Sequence, residues 1–394
     1  MSRRQHAPEP VPALITTSAD LAALCERLRR ESFVTVDTEF MRERTYWPEL
    51  CVVQLAGEHE VAVVDALAPD LDLAPLGALL ADRNVMKVFH AARQDIEIFL
   101  LKFDAVPVPL FDTQVAAMVA GFGDQVSYDA LCRALAGTHI DKAHRFSDWS
   151  ARPLSAAQIA YAAADVTHLR RIYTALRDRL EREGRLDWVA EEMAALADPA
   201  TYRIDPETAW ERLRPRTHNR RLLGLLRAAA AWREREAQRI NIPRQRLVRD
   251  ETLLELAATG PETPAELARA RGISEGFAKG RSGAGLIAAL KAAKALPESE
   301  LPEPPRDRHG PSPSPALVAL LKVLLAAKSE EHHVAPKLLA SSDDLDRLAA
   351  EDRPDLPALH GWRREVFGNA ALALKTGNLS LGVEGRKVKL IGAD

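Results

Sequence analysis

Residues 33–40 read Phe-Val-Thr-Val-Asp-Thr-Glu-Phe, a run of β-branched residues that ends in two carboxylates. Because β-branched side chains favour extended backbone, this stretch predicts a buried strand. Side chains alternate across a strand, so Asp37 and Glu39 point to the same face. Two like charges in that position are unfavourable unless a cation neutralises them. An isolated Asp-x-Glu pair is more often a solvent-facing strand end, so this motif needs support from elsewhere in the chain.

The segments around this strand alternate between short apolar runs and helical patterns. The patterns predict strands over residues 13–16, 50–56, 60–66 and 85–90 and helices over residues 21–30 and 73–81, with mostly helix from about 93 to 197. Three closely connected strands, then a helix, then a further strand indicate an α/β domain with a mixed sheet flanked by helices.

Proline-rich segments divide the rest of the chain. We expect an α/β domain over residues 1–200 and a small all-α domain over residues 206–296. Residues 297–315 contain seven prolines, which predict an extended, solvent-exposed linker. A second helical domain is expected over residues 316–394. It ends in a β-hairpin because residues 378–391 alternate around Glu384-Gly385.

Composition places the protein among soluble globular proteins. The chain has 394 residues, enough for two or three domains, and a net charge of −3, so nucleic-acid contacts must come from local basic patches. No run of about 18 apolar residues occurs, so no membrane span is expected. The only cysteines are Cys25, Cys51 and Cys132, whose spacing suits no metal site and whose scarcity fits a reducing compartment. We therefore expect buried thiols, a cytoplasmic location and, by default, a monomer.

Two later motifs supply further carboxylates. Residues 90–95 read His-Ala-Ala-Arg-Gln-Asp, and Asp95 falls where a helix begins after a strand; such a carboxylate can simply complement the helix dipole. Tyr161 and Asp165 are four residues apart on a helix predicted for residues 156–176, so they share one face. Small alanines surround them, which suits a helix that passes close to a sheet. The alternative is a partly buried tyrosine beside a surface aspartate.

Together these carboxylates indicate a metal centre. Asp37, Glu39, Asp95 and Asp165 are hard oxygen ligands of the kind that select Mg²⁺ or Mn²⁺. Two such ions about 4 Å apart can activate a water and stabilise both oxygens of a cleaved phosphodiester. Tyr161 could orient the attacking water. The combination is far more specific than any of its parts.

The order of these motifs resembles the DEDD exonuclease superfamily in its tyrosine subclass, and the wider context resembles the bacterial ribonuclease D family. The segments that carry the resemblance are residues 36–40 (Val-Asp-Thr-Glu-Phe), 53–55 (Val-Gln-Leu), 111–114 (Phe-Asp-Thr-Gln), 148–149 (Asp-Trp), 151–154 (Ala-Arg-Pro-Leu) and 161–165 (Tyr-Ala-Ala-Ala-Asp). The helical segments from residues 206 and 316 resemble HRDC domains, the second more divergent than the first.

The resemblance implies an RNase H-like fold and hydrolysis of RNA 3′ ends to nucleoside 5′-monophosphates. It implies that Asp37, Glu39 and Asp165 hold the metal ion on the attack side. Asp37 would also bridge to the second ion, which Asp95 would reach. The implied substrates are RNAs with unpaired 3′ tails, tRNA precursors among them. A DNA-directed exonuclease with the same metal site and a noncatalytic RNA-binding scaffold remain as alternatives.

Several residues are candidates for substrate contacts. Thr38 and His90 could donate hydrogen bonds to the terminal sugar or phosphate. Phe40 could stack on the terminal base or be a core aromatic, and Trp149 could be a stacking platform or pack within a lid. An arginine-rich stretch with two interleaved tryptophans predicts an RNA-facing surface, with a solvated helix face as the alternative. Its arginines are Arg212, Arg214, Arg216, Arg220, Arg221, Arg227, Arg233, Arg235, Arg239, Arg244 and Arg246.

Overall fold

Within the described residues, six strands form one mixed sheet. The computed structural model describes residues 12–140, 144, 147–215, 217–304 and 313–392. The strands are β1 (Ala13–Ile15), β2 (Phe33–Met41), β3 (Glu49–Ala56), β4 (Val61–Asp65), β5 (Met86–Phe89) and β6 (Leu110–Asp112). Their order is β1-β4-β3-β2-β5-β6. The β1–β4, β2–β5 and β5–β6 pairs are parallel and the β3–β4 pair is antiparallel. The mixed sheet predicted from the sequence is confirmed.

Helices flank this sheet. They are α1 (Ser18–Leu28), α2 (Ala74–Ala81), α3 (Arg93–Phe103), α4 (Thr113–Val119), α5 (Tyr128–Leu131), α6 (Ala156–Thr167), α7 (Leu169–Arg182) and α8 (Leu186–Leu196). Strand β4 is buried along its whole length, as is β3 from Cys51 onward. Strands that are apolar and buried on every residue are typical of a sheet covered on both faces.

Two details of this domain differ from the prediction. The sequence predicts helix beyond residue 93 without a further strand, but Leu110–Asp112 forms β6 by pairing in parallel with β5. Three residues that follow a proline are too short a signal to predict. The helix predicted for residues 156–176 is divided at His168 between α6 and α7. There the Ala164 carbonyl also accepts the Tyr128 hydroxyl at 3.1 Å, and its bond from the His168 amide is long, at 3.5 Å.

The first helical domain belongs to a second compact unit. This unit contains Phe40–Glu49 and the described residues from Tyr202 up to His309, while the rest of the described chain forms the first unit. Its helices are α9 (Arg220–Ile240), α10 (Arg244–Leu247), α11 (Asp250–Thr259), α12 (Pro264–Leu267), α13 (Glu275–Lys279) and α14 (Arg281–Lys294). They enclose one apolar core.

Side-chain hydrogen bonds explain why Phe40–Glu49 belongs to this helical unit. The Tyr46 hydroxyl donates to the buried Glu234 carboxylate on α9. The backbone amides of Tyr46 and Trp47 donate to the Asn241 side chain at 3.1 and 3.0 Å. These bonds fasten the segment to the C-terminal end of α9.

The beginning of the predicted linker is packed rather than solvent-exposed. Glu298–Glu300 forms a 3₁₀ turn, and Leu301 is only 4% exposed because its side chain fills the space beside Gly224. Arg227 donates to the Glu300 carbonyl at 3.0 Å. The prediction of an extended, solvated linker is therefore wrong for this part, since Leu301 supplies apolar surface between the prolines. Residues 305–312 lie outside the described residues.

The last part of the chain is helical and ends in the predicted hairpin. Its helices are α15 (Pro315–His332), α16 (Pro336–Leu339), α17 (Ser342–Ala350), α18 (Gly361–Arg363) and α19 (Asn369–Lys375), followed by β7 (Leu379–Glu384) and β8 (Lys387–Gly392). The β7–β8 pair is antiparallel, with Glu384 opposite Lys387. The hairpin expected around Glu384-Gly385 is confirmed.

This C-terminal helical segment packs on α8 of the sheet domain within the first unit. Trp188 and Trp362 stack with ring centroids 4.5 Å apart and an angle of 8° between their planes. Beside them, the Arg363 guanidinium pairs with Glu191 at 2.9 Å and with Glu192. Aromatic stacking next to a partly buried ion pair makes a specific contact rather than a loose tether.

A glycine allows a second contact between the same two parts. Gly121 follows α4 with φ +81°, and a Cβ atom there would lie 2.5 Å from the His333 carbonyl oxygen. Arg185 donates to that carbonyl at 3.4 Å, and the Ala335 amide donates to the Met118 carbonyl at 2.9 Å. Only a residue without a side chain permits both the left-handed conformation and the close approach.

The expectation of buried thiols is confirmed. Cys25, Cys51 and Cys132 are all buried, and no disulfide joins them. Burial raises the pKa of the Cys25 thiol to about 11 and that of Cys132 to about 12, so both are neutral thiols at ordinary pH. Among the described residues, none of the helices has both the length and the apolar character to span a bilayer.

Candidate active site

A cavity of about 640 Å³ lies at the C-terminal ends of β2 and β5. Asp37, Glu39, Tyr161 and Asp165 line it together, although they come from positions more than 120 residues apart in the sequence. Thr38 and His90 also line it. The structure therefore brings most of the predicted site residues to one cavity.

The parallel pairing of β2 and β5 sets the floor of this cavity. Thr35 pairs with Val88, so the two strands end at the same edge of the sheet. Asp37 and Glu39 continue β2 beyond that pair, and the turn after β5 leads into α3. Because parallel strands present their C-terminal ends together, residues from separate motifs meet there.

Asp95 lies behind this floor, in the first turn of α3. It is 6% exposed, and the Thr38 hydroxyl donates a hydrogen bond to its Oδ1 atom. Asp95 does not itself line the cavity in this structure. Thr38 therefore links Asp95 to the strand that carries the other two carboxylates.

Helix α6 carries the remaining two groups. It begins with a capping box, in which the Ser155 side chain and the Gln158 side chain each bond the other's backbone N–H. Buried Thr35 of β2 donates to the Val166 carbonyl of α6 at 2.9 Å, which anchors the helix over the sheet. The Tyr161 hydroxyl hydrogen-bonds the Asp165 carboxylate one turn further along, as their spacing predicts.

The electrostatics of the cluster are unfavourable for four negative charges. Burial, and after it the nearby Asp165 carboxylate, raise the pKa of Asp37 well above its usual range. Burial and then the charges of Asp37, Asp165 and Asp95 raise the pKa of Glu39 to about 9. Burial also raises the pKa of Asp95, and it raises that of Asp165 to about 7. Without a counter-charge the cluster therefore retains protons at neutral pH.

This cluster fits divalent cations in its chemistry. Four carboxylates offer only hard oxygen ligands, and a cation would relieve the repulsion that raises their pKa values. Within the described part of the chain, no three His, Cys, Asp or Glu side chains already form a closed ligand set. In this structure the carboxylates therefore lie in or beside one cavity without forming a ligand set at metal-binding geometry.

The predicted substrate residues fall into two groups. Thr38 and His90 line the cavity, but the Thr38 hydroxyl proton is already donated to Asp95. The His90 Nδ1 atom lies 3.0 Å from Thr113 Oγ1, and burial lowers the pKa of His90, so its ring is neutral. Thr38 and His90 could therefore contact substrate only through atoms that are not already hydrogen-bonded, or after their side chains rearrange. Their role in substrate binding stays a prediction.

Phe40 and Trp149 do not line the cavity. Phe40 is partly buried at the end of β2. Trp149 is 2% exposed, and its ring centroid lies 6.1 Å from that of Tyr161. In this structure Trp149 packs against Tyr161 rather than offering a face to a base, and a role for Phe40 or Trp149 in substrate binding stays a prediction.

The sequence reasoning missed one wall of the cavity. Gln114, Gln125, Ser127, Tyr128 and Asp129 line it as well. The Tyr128 ring lies 5.4 Å from the His90 ring, and its hydroxyl donates to the Ala164 carbonyl next to Asp165. Only Gln114 falls in a segment that resembles the family, so little in the sequence alone singles out the others.

The arginines of α9 are mostly engaged within their own domain. Arg233 is 3% exposed and pairs with Asp250 at 2.7 Å. Arg220 and Arg221 donate to backbone carbonyls of the segment after α14, and Arg239 pairs with Glu236. The RNA-facing surface predicted from the whole stretch is therefore too broad, because counting charges along a helix ignores their intramolecular partners. Arg216 lies outside the described residues.

Comparison with known proteins finds relatives over nearly the whole chain. The family described as 3'-5' exonuclease matches residues 12–181, and the HRDC domain family matches residues 223–290. Ribonuclease D of Granulibacter bethesdensis is 71% identical over 99% of both chains. Ribonuclease D of Bartonella henselae is 40% identical over 95% of this chain and 93% of its own. The crystal structure of Escherichia coli RNase D superimposes with a TM-score of 0.81 at 32% identity, covering 93% of this chain and 99% of that chain.

The fold and the site together define a divalent-metal-dependent 3′–5′ exonuclease that carries an HRDC domain. The ribonucleases D compared above match this chain over nearly its full length, which identifies the family within this class of exonucleases. The chain belongs to the ribonuclease D family and is a 3′–5′ exoribonuclease, a hydrolase that acts on RNA.

Proposed function

We propose that the protein removes nucleotides one at a time from unpaired RNA 3′ ends and releases nucleoside 5′-monophosphates. The observation that carries this is the single cavity shared by Asp37, Glu39, Tyr161 and Asp165, with Asp95 one hydrogen bond behind it. These four carboxylates would hold two divalent ions, Mg²⁺ or Mn²⁺. When bound, such ions supply an activated water and stabilise the charge on the leaving oxygen.

The protein's own groups prepare the site for this reaction. The Tyr161 hydroxyl, held by Asp165, is placed to orient a water at the cavity surface. Thr38 keeps Asp95 turned toward the β2 carboxylates. Residues of both α5 and α6 line the cavity beside the carboxylates, and we infer that a chain end enters it more readily than the middle of a duplex does.

We infer that the substrates include structured RNAs with unpaired 3′ tails, such as tRNA precursors. In support, the similar E. coli protein is described as an exoribonuclease involved in structured RNA processing. We further propose that residues 1–200 form the catalytic domain and that residues 206–296 and 316–394 form two HRDC-like domains. Exposed arginines that remain at the surface, such as Arg212, Arg214 and Arg246, would contact RNA phosphates.

No contact observed in the described part of the chain bears on the oligomeric state or the cellular location, so the proposals for both are general expectations. We propose a monomer. We also propose a cytoplasmic location, since the three cysteines are buried and form no disulfide, as is usual in a reducing compartment.

A time course on 5′-labelled single-stranded RNA tests the reaction. With Mg²⁺ we expect a ladder that shortens from the 3′ end, because the site handles one terminal phosphodiester at a time. EDTA should remove the ladder. A DNA oligonucleotide of the same sequence serves as the matched substrate, and faster cleavage of DNA than of RNA would favour a DNA-directed enzyme. No shortening of either polymer with Mg²⁺ or Mn²⁺ would contradict the proposal.

Tyr161→Phe should lower the turnover number by about 10²- to 10³-fold, since loss of one positioned hydrogen-bonding group in a transition state has an effect of that size. The metal requirement should persist because the four carboxylates remain. Turnover and the Mg²⁺ concentration for half-maximal rate are both measured on the same RNA. Tyr128→Phe, which removes another tyrosine hydroxyl of the cavity lining, is the matched comparison. Unchanged turnover in Tyr161→Phe would exclude the water-orienting role.

A further inference from the structure

Asp112 is a buried carboxylate outside the set that lines the cavity. It is 2% exposed and joins β6 to α4. Its two oxygens accept four backbone N–H groups. Oδ1 accepts those of Ala91 at 3.1 Å, Gln114 at 2.7 Å and Val115 at 3.3 Å, while Oδ2 accepts that of Ala92 at 2.8 Å.

These four bonds serve two different segments. The bonds from Gln114 and Val115 are an ordinary helix cap, in which a side-chain oxygen satisfies the free N–H groups at the start of α4. The bonds from Ala91 and Ala92 reach across to the turn between β5 and α3. One carboxylate therefore ties the start of α4 to the turn that leads into α3.

The turn needs an external support. Ala91 has φ +59°, a left-handed conformation that costs a residue with a Cβ atom about 1–2 kcal/mol. Helix α3 begins at Arg93, and its N-cap residue, Ala92, has no side chain that could cap it. A strained turn persists only where the surrounding structure holds it. The Asp112 carboxylate is the group whose hydrogen bonds hold residues 91–92 here.

This turn determines where two site residues lie. It separates His90, on the cavity wall, from Asp95, in the first turn of α3. The sheet register places Phe89 opposite Asp112, and the Thr113 hydroxyl donates to the Phe89 carbonyl at 3.0 Å. Both ends of the turn are therefore fixed by the same two consecutive residues of the chain.

We propose that Asp112 is a positioning residue for the metal site. By holding residues 91–92, it sets the start of α3 and so brings Asp95 within hydrogen-bond reach of Thr38. Asp112 does not touch substrate or metal. This inference rests on the proposed role of Asp95 as a metal ligand.

Asp112→Asn separates positioning from helix capping. Asparagine caps a helix about as well as aspartate, so its oxygen can still serve α4. Its NH₂ group would then face the Ala92 N–H. Both groups are hydrogen-bond donors, so the bond from Ala92 would be lost. We expect the Mg²⁺ concentration at the midpoint of thermal stabilisation to rise about 10-fold, the lower end of the effect that follows loss of a group supporting a metal ligand. The Mg²⁺ concentration for half-maximal cleavage should rise by a similar factor.

A control and a rescue make the test specific. Asp72→Asn changes another aspartate that accepts a backbone N–H, that of Ala74 at 2.9 Å at the start of α2, and should leave both midpoints unchanged. Adding Ala91→Gly to Asp112→Asn removes the cost of the left-handed turn and should recover part of the lost Mg²⁺ affinity. A role in stability alone would not be rescued in this way.

The outcomes separate the two proposals. If Mg²⁺ stabilises the unaltered protein and its midpoint stays within about two-fold in Asp112→Asn, the positioning role is overturned while the metal site stands. If Mg²⁺ fails to stabilise the unaltered protein, the proposed metal site fails first and the positioning role fails with it. Should Asp112→Asn not fold, Ala91→Gly alone still tests the turn, because relief of the strain should leave the midpoint equal to or lower than that of the unaltered protein. A higher midpoint would contradict the inference.

Discussion

Asp37→Asn is expected to reduce RNA cleavage by on the order of 10³-fold or more and, at the same time, to make the metal-free protein more stable. The first effect follows because Asp37 lines the cavity at the centre of the carboxylate cluster. The second follows because Asp37 raises the pKa values of both Glu39 and Asp95. A neutral amide at this position removes that repulsion.

The pH dependence gives the sign of the stability effect. In the folded, metal-free protein the pKa of Asp165 is raised to about 7 and that of Glu39 to about 9. Between the ordinary carboxyl pKa and these values, the folded state binds more protons than the unfolded state. The contribution of these two carboxyl groups to stability therefore decreases as pH rises from about 4 to about 9. Asp37→Asn should flatten this decrease, with a gain of about 1–2 kcal/mol at pH 8.

Thermal unfolding in EDTA and in Mg²⁺ measures both effects. In EDTA at pH 8 the variant should unfold at a higher temperature than the unaltered protein, by about 2–4 °C per kcal/mol. Mg²⁺ should stabilise the unaltered protein by about 2.7 kcal/mol at a hundred times its dissociation constant and the variant far less. Asp72→Asn is the control and should follow the unaltered protein. A variant that keeps cleavage near the normal rate with Mg²⁺ would refute the metal-ligand role of Asp37.

The parts of the site that local sequence could predict are those set by a single element. Alternation along β2 places Asp37 and Glu39 on one face, and helical spacing places Tyr161 beside Asp165. Both relations depend only on the backbone geometry of one strand or one helix. The mixed sheet follows from the order of such elements, so it too could be predicted.

The parts that could not be predicted depend on partners distant in sequence. Asp112 acquires its role from the register between β5 and β6, and β6 is three residues long. Tyr128 reaches the Ala164 carbonyl from 36 residues away. Likewise, whether Arg233 faces RNA or the partly exposed Asp250 cannot be judged from helix periodicity, since both arrangements place an arginine on an amphipathic helix. Residue type and spacing identify which side chains could take part in chemistry, but their hydrogen-bond partners elsewhere in the fold determine which role each side chain has.

Arg152→Ala is expected to have the largest effect on stability among substitutions outside the carboxylate cluster. The Arg152 guanidinium contacts Asp65 with Nε and Nη2 at 2.6–2.9 Å. It also donates to the backbone carbonyls of Cys51 at 2.9 Å and Trp149 at 2.7 Å. The Asp65 side chain is 10% exposed. The alanine variant would leave a nearly buried carboxylate and at least two carbonyls without this donor, at a cost of about 3–5 kcal/mol.

The same substitution should also lower turnover through the loop that carries Trp149. Arg152 joins this loop to β3 and to the end of β4, and Trp149 packs against Tyr161. Once the loop is released, Tyr161 loses part of the packing that fixes its ring, so its hydroxyl is less well placed. We therefore expect a lower melting temperature together with a lower turnover number for the folded fraction, measured well below that melting temperature.

Two variants separate the contributions of this arginine. Arg152→Lys keeps the positive charge but cannot contact both oxygens of Asp65 as the guanidinium does. The stability of this variant should therefore lie between that of Arg152→Ala and that of the unaltered protein. Arg177→Ala removes an exposed arginine that pairs with the exposed Asp178 and lies over the Tyr173 ring, and its stability should change by about 1 kcal/mol or less. If Arg152→Ala lowers stability while turnover per folded molecule stays normal, the loop that carries Trp149 stabilises the fold but does not position the Tyr161 hydroxyl. If Arg152→Ala leaves the stability of the protein unchanged, the network around Asp65 contributes little to it. That result would mean that water replaces the arginine, because a buried carboxylate that loses its arginine otherwise costs free energy.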